Sequence, residues 1–276
     1  MPELPEVEVT RRHIAPHLKG VRIEAVTLGS PRVSRRNNRP VDIIHRLVGR
    51  RVENVGRHGK FIIIDMEDDL AWVMHLGMSG RMTVAAPDEP LDKHTHFRGV
   101  TDRNEELRFV DPRTFGFVAV FTPDELDESS LSRLGRDAWS DLPDPEELAA
   151  MLENRTAPIK SLLLDQRIIA GLGNIYADEI LFRAGVHPSR EGGSITVSEL
   201  TLLHEAIPLV LGAAIDNNGT SLDDLAYLLP DGRAGEMLDE LIVYGADGTP
   251  CPRCGTEIER RVLRGRSIHF CPECQT

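Results

Sequence analysis

Cys251-Pro252-Arg253-Cys254 and, after sixteen intervening residues, Cys271-Pro272-Glu273-Cys274 decide how the last part of this chain folds. Two C-x2-C pairs at this separation have the spacing of a tetrahedral four-thiolate zinc site. Two disulfides or two redox pairs are the competing readings. A cytosolic setting disfavours the first, and the lack of a βαβ pattern disfavours the second. Between the pairs, Ile258, Val262, Ile268 and Phe270 fit a hairpin whose tip is read as Gly265-Arg266-Ser267. A closed four-sulfur site leaves no position for a substrate, so the metal, one structural Zn2+, shapes the hairpin and does no chemistry. The hairpin is basic, with Arg253, Arg260, Arg261, Arg264 and Arg266 against Glu257, Glu259 and Glu273. Arg266 at the tip suits a groove or a phosphate, and equally suits a solvated turn.

Upstream of the hairpin the texture is helical. Residues 145–153, 159–164, 174–184 and 197–216 read as helices, the last with Thr196 and Glu199 spaced as a capping box. Asn217-Asn218-Gly219 reads as a turn, and the Gly- and Asp-rich stretch up to Gly235 as an irregular loop. The first half is different. Strand-like runs at 21–28, 60–66, 70–75, 81–85, 97–101, 107–111 and 116–121 are punctuated by Gly, Pro and Asp-Asp, which predicts antiparallel sheets forming a sandwich. Short helices are expected at 9–18 and 41–47. The expected class is α+β and multidomain. Its parts are a β-sandwich with an N-terminal helix (1–121), an acidic connection (122–147), a helical domain (148–235) and the zinc hairpin (236–276). The best apolar run, 206–215, falls short of the roughly 20 residues of a membrane span. No secretory pattern opens the sequence, so a soluble, cytosolic protein is expected.

The net charge of −12 argues against a polyanionic partner only as a single number. From residue 31 to 60 there are nine basic residues (Arg32, Arg35, Arg36, Arg39, Arg46, Arg50, Arg51, Arg57, Lys60) against Asp42 and Glu53. From 122 to 148 nine acidic residues face only Arg133 and Arg136. The charge is segregated, and a local basic face matters more to a polyanion than the sum does. Only four of the cations are lysines, and arginine forks suit phosphate oxygens.

At the other end stands Met1-Pro2-Glu3-Leu4-Pro5-Glu6-Val7-Glu8. Removal of Met1 leaves a proline whose nitrogen is a secondary amine, with a pKa of roughly 7.7–8.0. Such amines attack carbonyl-like carbons and form Schiff bases, and Glu3 is beside it for proton transfer. The plainer reading is a rigid lead-in to a helix, with Glu6 and Glu8 favoured by the dipole.

The MPELPEVE start, the Asn174-Ile175-Tyr176-Ala177-Asp178-Glu179 helix after Gly171-Leu172-Gly173 and the CPxC…GRS…CPxCQ block occur together. This combination resembles the formamidopyrimidine-DNA glycosylase family over nearly the whole chain, through motifs in all three segments. The Leu4-Pro5-Glu6-Val7-Glu8 continuation is more similar to its oxidised-purine branch than to the endonuclease VIII branch. The resemblance implies a β-sandwich, a helix–two-turn–helix domain and a zinc hairpin, with damaged double-stranded DNA across a cleft between the lobes. It implies a monomer in the bacterial cytoplasm, nucleoid-associated when acting. Pro2 is then the Schiff-base nucleophile, Glu3 its acid/base and Glu6 a supporting carboxylate. Lys60 contacts phosphate and assists β-elimination, and Arg266 grips phosphate and serves δ-elimination. Asn174 binds phosphate at its helix start, where an ordinary N-cap role is compatible. His94, Arg113 and Arg155 match further DNA-contact positions, and Met78, Arg113 and Phe115 the trio that fills the gap left by an extruded base. The activity implied is excision of oxidised purines and β,δ-elimination at the abasic site. The alternatives are the same chemistry on oxidised pyrimidines, or a non-catalytic damaged-DNA-binding protein. The chain departs from the family at about 219–235, where it carries Asp223-Asp224 and Tyr227-Leu228-Leu229-Pro230, and in its strongly acidic total.

Overall fold

The computed structural model describes residues 1–222 and 226–276, and Asp223 and Asp224 lie outside the described residues. The chain divides into two compact units, residues 1–133 with 215–238, and residues 134–214 with 239–276.

In the first unit, α1 (Leu4–Leu18) leads into β1 (Ile23–Leu28), α2 (Pro40–Leu47), β2 (Val52–His58), β3 (Phe61–Met66), β4 (Leu70–His75), β5 (Arg81–Ala85), β6 (Thr95–Thr101), β7 (Glu106–Val110), β8 (Phe117–Phe121) and α3 (Pro123–Glu128). The strands form two antiparallel sheets, ordered β1-β6-β7-β5 and β2-β3-β4-β8. One core holds residues of both sheets, among them Phe97 and Phe109 from the first and Ile62, Ile64, Trp72 and Val118 from the second. Sandwich packing follows, with Trp72 and Phe97 rings 5.3 Å apart. Period-two alternation on β3 puts Ile62, Ile64 and Met66 inward. β4 and β8 are buried on both faces because Ala71, Val73, Phe117, Ala119 and Phe121 form a second cluster covered by Phe61, Ile63, Leu126 and Leu131. That explains why their sequences are continuous apolar runs.

Two expectations need correction here. α1 starts at Leu4, not at residue 9, because a proline in the first helical turn gives up no bond that the helix makes. β2 was not expected at all. It is an edge strand with a register shift between Val52 and Asn54, so only Val52 and Val55 are buried and the remainder stays polar.

The second unit contains β9 (Arg136–Asp137), α4 (Pro145–Leu152), α5 (Ile159–Leu163), β10 (Ile169–Ala170), α6 (Asn174–Ala184), most of α7 (Val197–Asp216) and the hairpin of β11 (Glu259–Leu263) and β12 (Arg266–Phe270). β9 and β10 make a short parallel pair unmarked by any sequence alternation. The Thr196–Glu199 capping box forms, with Glu199 N donating to Thr196 Oγ1 at 3.3 Å and Thr196 N to Glu199 at 2.8 Å. By length and composition α7 passes for a membrane span, contrary to the shorter apolar run read from the sequence. Its Leu200, Leu203, Ala206, Ile207 and Leu211 are nevertheless buried in the fold.

Candidate functional site

The start of α1 is fixed by its own carboxylates. Glu6, 1% exposed, takes the backbone N–H of Glu3 at 2.7 Å with Oε2 and that of Thr220 at 2.8 Å with Oε1. Charge-assisted bonds to backbone donors are worth about 1.5–3 kcal/mol each. Glu6 therefore joins the first helical turn to a segment over two hundred residues away in sequence. The partner segment is built for the contact. Asn218 and Gly219 both have positive φ, 60° and 78°, and a Cβ on Gly219 would come within 2.9 Å of Glu6 Oε1. The root of the 219–235 segment is closed by Ser221 Oγ, which donates to Tyr227 O and accepts from Gly235 N, both at 2.8 Å. Pro2 and Glu3 are buried at this helix start.

Lys60 sits in the turn between β2 and β3, after Gly59 with φ 55°. Arg57 donates to Gly59 O at 2.9 Å and pairs with Glu8 at 3.2 Å, tying the Lys60 turn to α1. Burial alone raises the Glu8 pKa, but bonds from Arg11 and Arg12 and the Arg57 charge outweigh it and hold the carboxyl below its usual range. Lys60 is buried, and its charge is felt by His75 at the end of β4. His75 accepts from Gly77 N at Nδ1 (3.0 Å), stacks on Phe117 and is neutral at pH 7. Its pKa is pulled from 6.5 to about 4 by burial, then by Lys60, Arg35 and Arg36.

The β4–β5 turn and the β7–β8 connection meet through Asp111, which is fully buried. Its Oδ1 accepts from Ser79 Oγ (2.7 Å) and Arg113 N (3.2 Å), and Oδ2 from Gly116 N (2.8 Å). A Cβ on Gly77 would lie 2.3 Å from Gly116 N, so the turn carrying Met78 packs directly on the backbone beside Phe115. Arg113 lies over the Phe115 ring at 5.1 Å, and Phe115 is 52% exposed, which is unusual for an aromatic of a compact unit. Arg113 and Phe115 thus share one surface, with the turn that carries Met78 packed on the backbone beside it. His94 and Arg113 also line one pocket of about 480 Å³ with Ala226 and Leu228.

In the second unit the zinc hairpin is held against α6. Lys160 Nζ pairs with Asp178 Oδ1 at 2.7 Å, both side chains fully buried, and donates to Ser267 O at 2.7 Å. Asp178 Oδ2 accepts from His269 N and Nδ1 at 3.1 and 3.0 Å. Glu179 accepts from the backbone of Ile242, Val243 and Tyr244, although burial still pushes its pKa up. Asn174 is the first residue of α6, and the cap is Gly173 rather than Asn174. Asn174 Nδ2 donates to Ser267 Oγ at 3.1 Å, beside Arg266. The hairpin tip is Arg264-Gly265, both at positive φ, while Arg266 opens β12 opposite Leu263 and is exposed. The tip was expected one residue later; two successive positive-φ residues suit the two-residue turn that strand twist favours. Arg155 is exposed on the α4–α5 connection, and its carbonyl accepts from Gly193 N.

The four cysteines place their Sγ atoms within 4.8 Å of one another, with Cys254–Cys271 at 3.5 Å and Cys251–Cys274 at 3.9 Å. Tetrahedral Zn–S bonds of about 2.3 Å require S···S separations near 3.8 Å. The set fits one structural Zn2+. Beneath it pack Phe182, Val243 and Ile258.

The segregated basic stretch is largely consumed locally. Arg39 pairs with Asp42, Arg46 with Glu125, Arg50 with Asp68 and Arg57 with Glu8. Arg35 instead donates to the carbonyls of Phe115 and Gly116, bracing the Phe115 turn. Arg35, His75, Asp111, Lys160, Asp178 and His269 carry no role legible in the sequence. Their one signal is polarity inside otherwise apolar runs, as for His75 after Trp72-Val73-Met74.

An antiparallel sandwich, a helical unit and a four-thiolate hairpin define the class, a multidomain zinc-hairpin protein. The formamidopyrimidine-DNA glycosylase N-terminal domain matches residues 1–118, the H2TH domain of the same enzymes residues 134–225, and the zinc finger found in FPG and IleRS residues 248–276. A formamidopyrimidine-DNA glycosylase of Stenotrophomonas maltophilia is 41% identical over 275 residues, covering 100% of both chains. Lactococcus lactis Fpg in complex with Fapy-dG-containing DNA superposes with a TM-score of 0.88 at 34% identity, over 99% of this chain and 100% of that one. The wild-type Lactococcus lactis protein with oxidised-pyrimidine DNA does so at 0.88 and 35%, over 100% of both chains. The chain belongs to the formamidopyrimidine-DNA glycosylase family.

Proposed function

We propose that this chain is a bifunctional DNA glycosylase/AP lyase of base excision repair that removes oxidised purines. Once Met1 is removed, the Pro2 nitrogen attacks C1′ of a damaged nucleotide turned out of the duplex. The glycosidic bond breaks, and the base leaves with that electron pair and takes up a proton. The Pro2 nitrogen gives up its proton, and its lone pair then expels O4′ from C1′, opening the sugar ring to an iminium as O4′ takes up a proton. Loss of the C2′ proton expels the 3′ phosphate, and a further elimination expels the 5′ phosphate. Glu3 handles protons next to the amine, and Lys60 and Arg266 bind phosphate while the eliminations run. Asn174, His94 and Arg155 bind the DNA backbone. Met78, Arg113 and Phe115 occupy the gap in the stack, whose opening costs a few kcal/mol.

One observation carries this reading. Glu6, nearly inaccessible to solvent, spends both carboxylate oxygens on backbone donors and so holds the first turn of α1 against a distant segment. A mere lead-in to a helix needs no such tether, whereas a nucleophile at residue 2 does. The protein acts as a monomer on chromosomal DNA in the bacterial cytoplasm. Borohydride treatment with duplexes carrying 8-oxoguanine, an oxidised pyrimidine or an abasic site tests it. A covalent adduct that disappears in Pro2→Gly is expected. No adduct with any duplex overturns catalysis and leaves a damaged-DNA-binding protein. The complex of a 35% identical relative with oxidised-pyrimidine DNA favours a second reading, and adducts confined to the pyrimidine duplex establish it.

A further inference from the structure

α1 carries a pair of histidines with the spacing of a helical metal chelate. His13 and His17 are four residues apart on one continuous helix and line the same pocket of about 380 Å³. Their tautomers are set by their partners. His13 Nδ1 lies 2.9 Å from Val9 O, an atom that can only accept, so the proton is on Nδ1. His17 Nδ1 lies 2.9 Å from the Glu105 carboxylate, with the same consequence. When unprotonated, each ring therefore carries its lone pair on Nε2. A carbonyl or carboxylate behind Nδ1 is the arrangement that orients imidazoles toward a metal through the other nitrogen. Histidines at i and i+4 on one helix face can reach a single ion.

The surroundings select a cation. Glu89, Glu105 and Asp231 also line the pocket, and among its described lining residues there is no lysine or arginine. Asp231 shares its carboxylate with Arg233, at 2.9 Å from Nε. Among the described residues, only the four cysteines bring three or more ligand atoms within 4.8 Å, so an ion held by His13 and His17 would keep its remaining positions open to water. Imidazole donors suit zinc, copper and nickel rather than magnesium or calcium.

We propose that His13 and His17 bind one divalent transition-metal ion through their Nε2 atoms, with Asp231 in the same pocket supplying carboxylate charge. Asp231 belongs to the 219–235 segment and α1 carries Glu6, so the ion links two parts of the first unit that Glu6 already joins from the other end of the helix.

Calorimetric titration of the zinc-loaded full chain, free of any affinity tag, with nickel chloride tests the site. One Ni2+ per chain beyond the zinc is expected, without the absorption of nickel–thiolate bonds. The heat should vanish in His13→Gln and in His17→Gln, persist in the control His45→Gln on α2, and show about tenfold weaker affinity in Asp231→Asn, a change of about 1.4 kcal/mol. Paramagnetically shifted imidazole protons from two histidines in the unaltered chain give the same answer without any variant. A wild-type chain that takes up no Ni2+, or binding retained in both histidine variants, overturns the site. Unchanged affinity in Asp231→Asn removes Asp231 from it.

Discussion

At the scale of single residues, what distinguishes this protein is where it buries charge. Glu6 spends both oxygens on backbone N–H groups, of Glu3 and Thr220. In Glu6→Gln one of those acceptors becomes a second donor facing an N–H. The variant should lose about 1–3 kcal/mol of stability in urea unfolding, the cost of an unsatisfied buried group. Borohydride trapping should slow because Pro2 is no longer held, and trapping at the wild-type rate would contradict the tether. His75 supplies a pH signature. Its folded pKa of about 4 lies below the ordinary 6.5, so between those values the unfolded chain binds a proton that the native chain refuses. Its contribution is intact above pH 6.5 and is lost as pH falls toward 4, by about 2–3 kcal/mol. Subtracting the pH–stability curve of His75→Gln, which keeps an acceptor for Gly77 N, should isolate this component. Identical curves would show that His75 does not titrate in this way.

The element that matters most is β12, because Arg266 and Ser267 open it and its position depends on α6. The Lys160–Asp178–His269 chain fixes that position with a fully buried ion pair, at 1% and 0% exposure. Breaking one partner of such a pair costs about 3–5 kcal/mol, because the remaining charge has lost both water and partner. Lys160→Met should therefore destabilise the second unit by that amount in chemical unfolding. Lys160→Met with Asp178→Leu should recover much of the loss. If the double variant is no better than the single one, the cost is packing and not charge. At the same scale, the unexpected β2 edge strand supplies half of the Lys60 turn, and Arg57 on it reaches Glu8 on α1.

For the whole molecule, metal and charge set the limits. Zinc-binding free energy of about 10–16 kcal/mol in small structural sites is folding free energy. A chelator should expose residues 239–276 to proteolysis and abolish duplex binding, while the sandwich of the first unit keeps its ellipticity. Intact binding after verified zinc loss would contradict the role given to the hairpin. With a net charge of −12 and much of the 31–60 arginine stretch already paired, non-specific DNA affinity should be weak. Each phosphate contact contributes about 0.9 to the salt slope, so Arg266→Ala should lower that slope by roughly one.

Much of this was legible in the chain itself. The cysteine spacing pointed to a zinc hairpin, strand-like runs punctuated by Gly, Pro and Asp-Asp pointed to antiparallel sheets, and the joint occurrence of the N-terminal, Asn174 and hairpin motifs pointed to the family. These are local patterns, in which chemistry and period are carried by residues close together. The partners of Glu6, Asp111, Asp178 and Lys160 could not be read that way. Each makes its decisive contact with a residue 32 to 214 positions away or is reached from 91 to 107 positions away. A buried charge is stable only where folding brings a partner to it. Only the tertiary structure therefore decided which arginines of the basic stretch were already neutralised, which polar residues brace the site, and that His13 and His17 face a pocket of carboxylates.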